Sequence, residues 1–116
     1  MPPSLSRGVI IGTVLQIVMV LCGHFIPNLQ AIFPVAGTAI GGVAGYFANR
    51  GTAPTLGSAA GVGAGAGVIS GVIGTLVSVG LGDVPMSTVG IAGVSTAVLG
   101  ALGGLVARAT AKSATA

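Results

Sequence analysis

The sequence predicts an all-α integral membrane protein, a four-helix up-down-up-down bundle with glycine-mediated packing. Three observations carry that prediction. Hydrophobic side chains make up 53% of the 116 residues and charged ones 4%, against roughly 25% charge in a soluble domain. Four apolar runs come close to or exceed the roughly 20 residues that cross a bilayer, and short links rich in proline, glycine, asparagine or aspartate separate them. Glycine recurs at intervals of four inside these runs. Residues four apart share a helix face, where small side chains let helices approach closely in lipid.

A polar leader through Arg7 holds Ser4 and Ser6, either of which can cap the helix that follows. The first span covers about residues 8–26 and stops at Pro27-Asn28. The lone cysteine, Cys22, lies inside it and is read as a small hydrophobe. Leu21 stands where a cleavage site needs a small residue, so the span is expected to be retained. The second span, about 29–48, tolerates Pro34 in its first turn and carries the row Gly37, Gly41, Gly45. Tyr46 and Phe47 end it where interfacial aromatics sit.

Residues 49–55 supply turn chemistry and a helix start. The third span, about 56–81, has no charged residue and two glycine rows: Gly57, Gly61, Gly65 and Gly63, Gly67, Gly71. Such a stretch is too glycine-rich to hold a helix alone in water, but in hydrocarbon the backbone must bond itself. It is the expected central packing helix. After Gly82-Asp83-Val84-Pro85 the fourth span covers about 86–106. One of its small-residue rows holds Ala92, Thr96, Gly100 and Gly104, and another Gly93, Ala97 and Ala101. The tail, 107–116, is polar and basic and is expected to fray. The whole chain, 1–116, then forms one transmembrane domain.

Orientation follows from the basic residues. Arg7, Arg50, Arg108 and Lys112 fall at span ends that face one side, whereas the opposite links hold neutral residues and Asp83. Positive-inside bias places both termini in the cytoplasm. The net charge of +3 does not point to nucleic acid, because four scattered basic residues with one Tyr and no Trp form neither a phosphate track nor a stacking platform.

The two halves resemble each other. Ile11-Gly12-Thr13-Val14-Leu15 is echoed by Ile73-Gly74-Thr75-Leu76-Val77, and Gly23-His24-Phe25-Ile26-Pro27 by Gly82-Asp83-Val84-Pro85. Two duplicated hairpins would give a parallel repeat about an axis along the membrane normal; shared glycine-rich composition explains the likeness equally well. Under duplication, His24 and Asp83 occupy matching positions and would meet as a polar pair. The plainer reading, which the sequence favours, leaves each solvated at the interface, with Asp83 capping the fourth span.

With one His, one Cys, one acidic residue and no Glu, one copy assembles no carboxylate pair or nucleophilic triad, and a metal site would need ligands from other subunits. The run Gly61-Val62-Gly63-Ala64-Gly65-Ala66-Gly67 lacks the strand, lysine and acidic partner of a phosphate-binding loop. No enzyme activity, cofactor or metal is expected. Gln16 is the one large polar residue deep within a span and extends the row of Gly8 and Gly12, so an interhelical hydrogen bond is its expected role. Thr13, Gln16, Thr38, Thr75, Ser78, Ser95 and Thr96 are too sparse to establish a polar stripe across the membrane.

The run Gly41-Gly42-Val43-Ala44-Gly45-Tyr46-Phe47-Ala48, followed by a polar link and then Gly57 and Gly61, resembles a hairpin of uncharacterised small glycine-rich four-span membrane proteins of bacteria and archaea. The resemblance implies a four-span bundle, with a prokaryotic cytoplasmic membrane as its setting, and carries over no functional residue. The functional expectation is a non-catalytic accessory or structural subunit of a larger membrane complex or homo-oligomer, its partners being lipid and other membrane subunits or further copies. The alternative is an oligomeric pore or small transporter, holin-like or ion-conducting.

Overall fold

The structure, a computed structural model, describes residues 3–50 and 55–115. These form four α-helices and one 3-10 segment: α1 (Pro3–Phe25), the 3-10 turn (Pro27–Ile32), α2 (Phe33–Asn49), α3 (Leu56–Gly80) and α4 (Thr88–Thr115). No strand occurs among the described residues. Each of the four helical segments is long and apolar enough to cross a membrane. The bundle measures 47 × 20 × 20 Å, a length that covers the hydrocarbon core and both headgroup layers of a bilayer, about 40–45 Å.

The element boundaries differ from the expected spans where local chemistry intervenes. α1 starts at Pro3, a residue suited to a helix's first turn, so Ser6 lies within the helix and does not cap it. The second span begins as a 3-10 turn led by Pro27 and becomes α-helical only at Phe33, with Pro34 in the first turn. α3 is capped by Thr55, whose hydroxyl accepts from the Ser58 amide at 3.0 Å. It ends in a Schellman motif, Asp83 N–H to Ser78 C=O and Gly82 N–H to Val79 C=O, both 3.0 Å. That motif needs a left-handed residue, and Gly82 supplies it with φ of 79°. α4 starts at Thr88, not 86, and its helix runs on to Thr115. The expected frayed tail is helical because alanine, at 107, 109 and 111, is the strongest helix former. Gly51–Pro54 of the expected turn lies outside the described residues, as does the Lys112 side chain.

α1 packs on α2 and α3, α4 packs on the same two helices, and α2 touches α3 across the middle, while α1 and α4 do not meet. A two-fold axis along the membrane normal would make an α1–α4 contact the twin of α2–α3. The hairpins instead stack side by side, α1 on α3 and α2 on α4, so the packing lacks the axis expected of a rotated repeat.

The interior is built from small and polar residues. Ala44, Ala48, Ala59 and Ala66 are fully buried, with Gln16, Asn49, Ser70, Ser78 and Thr96 among them. Large apolar side chains such as Ile10, Val14, Val18, Val35, Ile91 and Val94 face outward. Burying alanine and glycine removes little apolar area from water, and lipid supplies no hydrophobic drive between helices. Close van der Waals packing and hydrogen bonds must hold the bundle.

Candidate functional site

Two ends of the bundle differ. At the end marked by Arg7 and Arg50, backbones touch. A methyl added at Gly63 would fall on the Gly100 carbonyl, and one added at Gly100 would fall on the Gly63 carbonyl. Gly45 meets the same Gly100 carbonyl, Gly67 meets Thr96 C=O, and Gly104 meets Ala59 C=O and the Asn49 amide. Gly41 and Gly71 flank the Thr96 side chain, with an added Cβ at 2.8 and 2.6 Å from its Cβ and Cγ2. Thr96 thus wedges between α2 and α3.

The row Gly57, Gly61, Gly65 behaves differently from its expected packing role. Added Cβ atoms at Gly57 and Gly61 would meet nothing within 4 Å, and one at Gly65 only Leu5 Cδ1 at 3.9 Å. The adjacent row, continued toward the start of α3 by Ala59, is turned toward α4 and makes the close backbone contacts on that helix. Gly37 also stays clear of α4: its neighbours would be Met19 Cε at 3.5 Å and Gln16 Oε1 at 3.6 Å.

Polar ties reinforce the closed end. Asn49, 1% exposed, donates to Ala59 C=O at 2.7 Å and to Gly45 C=O at 3.3 Å, joining α2 to α3. Arg7 donates from Nε to Phe47 C=O at 2.8 Å and from Nη2 to Arg50 C=O at 2.7 Å, so the start of α1 caps the last turn of α2, where carbonyls lack intrahelical partners. The start of α1 and the end of α2 therefore share one end of the bundle.

At the opposite end a cavity separates the helices. The Phe33 ring occupies the space that Gly23 leaves open, an added Cβ there meeting its Cε1 at 2.5 Å, and Gln30 Nε2 donates to Gly23 C=O at 3.1 Å. Between the four helices lies a half-open cavity of about 340 Å³, its walls mostly apolar. Gln16 and Thr96 lie among its lining. Gln16 is 3% exposed, donates from Nε2 to Gly37 C=O at 3.0 Å and packs against Gly74; this is an interhelical bond between α1 and α2. The hydroxyls of Thr38, Thr75 and Ser95 donate to Pro34, Gly71 and Ile91 carbonyls at 2.6, 2.8 and 3.0 Å, and that of Thr96 to Ala92 C=O at 2.5 Å. Ser78 is different. It is 2% exposed, lines the cavity, and its Oγ has no hydrogen-bond partner.

His24 and Asp83 meet at this end. His24 Nδ1 stands 3.0 Å from Asp83 Oδ2 and 3.3 Å from Oδ1, so Nδ1 carries the proton it donates to the carboxylate. The Schellman motif fixes Asp83 just beyond α3, alongside the last turn of α1. The reading that the sequence favoured, Asp83 as the cap of α4, does not hold: Thr88 starts that helix and its amide bonds Pro85 C=O at 3.0 Å. The pair is partly solvated, the side chains being 35% and 13% exposed.

The row read from sequence at Gly8 and Gly12 packs closely, Gly8 on Ala44 and Ala48 and Gly12 on Ala44 and Ser70; Asn49 and the Gly103 contact on Gly42 C=O are not singled out by the sequence, and Ser78 enters there only in a sparse polar set. Asn49 had a signal, since it continues the row Gly41, Gly45 at the same spacing. Among the described residues no three His, Cys, Asp or Glu side chains gather as a metal site. Cys22 is exposed on the bundle surface. No protein family, curated protein or solved structure matches the chain.

Proposed function

We propose that this chain is a non-catalytic integral membrane protein that serves as a structural or accessory subunit of a larger membrane assembly, built from further copies of itself or from other membrane subunits. Both termini lie in the cytoplasm in this reading, with the Arg7 end at the cytoplasmic face of a prokaryotic membrane. The observation that carries it is the unfilled face of α3. Gly57 and Gly61 look outward with no neighbour within 4 Å, and a small-residue strip of this kind lets another helix come close in lipid.

The test is cross-linking in native membranes before solubilisation, with Gly61→Cys in a Cys22→Ser background. A cross-linked product containing a second copy or a fixed heteromeric partner is expected. Gly61→Cys remaining monomeric while a cysteine placed at exposed Val94 gives the same result would end the proposal.

The half-open cavity favours a second reading, a pore or small transporter. Within one copy the closed end is sealed by backbone contacts at Gly45, Gly63 and Gly100, so conduction would need an interface between copies. Ion flux through vesicles containing only this chain separates the two readings.

A further inference from the structure

We propose that the cavity at the His24 end binds an uncharged amphiphile, a molecule with an apolar body and one hydroxyl or carbonyl group that takes a hydrogen bond from Ser78. The volume, about 340 Å³, falls within the range of about 300–1,000 Å³ of small-molecule sites. No charged side chain lines it, so an ion would lose its hydration without gaining a counter-charge. The walls are mostly apolar and give the body of the ligand its contacts.

Ser78 supplies the polar anchor. A buried hydroxyl without a partner carries an uncompensated desolvation cost, and every other Ser or Thr bond named above for this cavity is directed back to its own helix. Those hydroxyls have committed their single protons but keep lone pairs, as a hydroxyl has two. Gln16 has committed one of its two Nε2 hydrogens to Gly37. Ser78 is therefore the fully buried hydroxyl of this lining that lacks a partner, while the half-buried Thr88 hydroxyl and the second amide hydrogens of Gln16 and Gln30 are further donors. A ligand carbonyl satisfies Ser78 by accepting, and a ligand hydroxyl satisfies it and can donate to a neighbouring acceptor. Water could cap Ser78 as well, but a mostly apolar wall gives it few of the two to four partners a buried water needs.

The experiment uses the whole protein in bicelles with its methionine methyl groups labelled with carbon-13, since Met19 lines the cavity and Met86, 62% exposed, does not. The probes are n-decanol, decane and ionised decanoate at matched membrane content. A saturable shift of the Met19 signal with decanol is expected, with Met86 unmoved and decanoate inactive. Ser78→Ala should weaken decanol about five- to tenfold, the worth of one hydrogen bond, bringing it level with decane, and Ser78→Thr should restore the preference. Ala92→Leu, which fills the cavity, should abolish both. Equal binding of decanol and decane to the unaltered protein, or no saturable Met19 shift, overturns the proposal, and neither result depends on a variant folding.

Discussion

Two substitutions two residues apart on α3 test whether the seam is held by backbone contact. Gly61→Ala places a methyl where nothing lies within 4 Å, whereas Gly63→Ala drives it onto the Gly100 carbonyl, with the Gly100 carbon at 3.0 Å and Gly104 Cα at 3.1 Å. Both changes gain the same helix propensity, about 1 kcal/mol, so that term cancels between them. The clashing atoms at position 63 are backbone and cannot rotate away. α3 and α4 must therefore separate, and an opening of roughly 0.5–1 Å forfeits a quarter to a half of the dispersion energy of each contact along the seam. Overpacking of this kind costs about 1–3 kcal/mol. Gly63→Ala should therefore be less stable than Gly61→Ala by about 1–3 kcal/mol, while Gly61→Ala equals or exceeds the unaltered protein. The assay is reversible unfolding of dilute monomer in mixed detergent micelles, followed by helix content. Equal stability of the two variants would refute the argument that this crossing is set by glycine backbone.

Asn49→Leu should destabilise the bundle by about 1–3 kcal/mol, since it removes the donor to Ala59 C=O and crowds Gly104; the same unfolding assay measures it. Gln16→Leu breaks one interhelical bond to Gly37 C=O and should cost only about 0.6–2 kcal/mol, without loss of the fold. A double-mutant cycle with His24→Gln and Asp83→Asn should return a coupling of up to about 1 kcal/mol, because the pair is partly solvated. Zero coupling, together with failure of cysteines at 24 and 83 to cross-link in a Cys22→Ser background, would contradict the contact. Arg7→Ala should speed amide exchange in the last turn of α2, whose carbonyls Arg7 caps; unchanged exchange there would show that the cap is idle.

Helix number and approximate ends were legible because they follow from local chemistry. Uncharged apolar runs must hydrogen-bond internally in hydrocarbon, and proline and glycine mark where each stops, as Gly82 does for α3. The helical tail is hidden by its polar composition, because the alanines that carry α4 to Thr115 set the local preference. The role of Gln16 as an interhelical donor could be anticipated, since a buried amide in lipid must find protein.

What the residues by themselves determined is that four apolar helices form, that small side chains line some faces, and roughly where α1, α2 and α3 end. Which of two glycine rows on α3 meets α4, and which looks outward, was decided only in the folded bundle. Gly57 and Gly63 are chemically identical, and a rotation of the helix about its axis exchanges their roles at no local cost. The same holds for Ser78: its sequence neighbours do not say whether its hydroxyl turns back to a carbonyl or stands free in a cavity. Only the cavity between the helices at the His24 end settles that, because it is packing between distant segments that leaves the space.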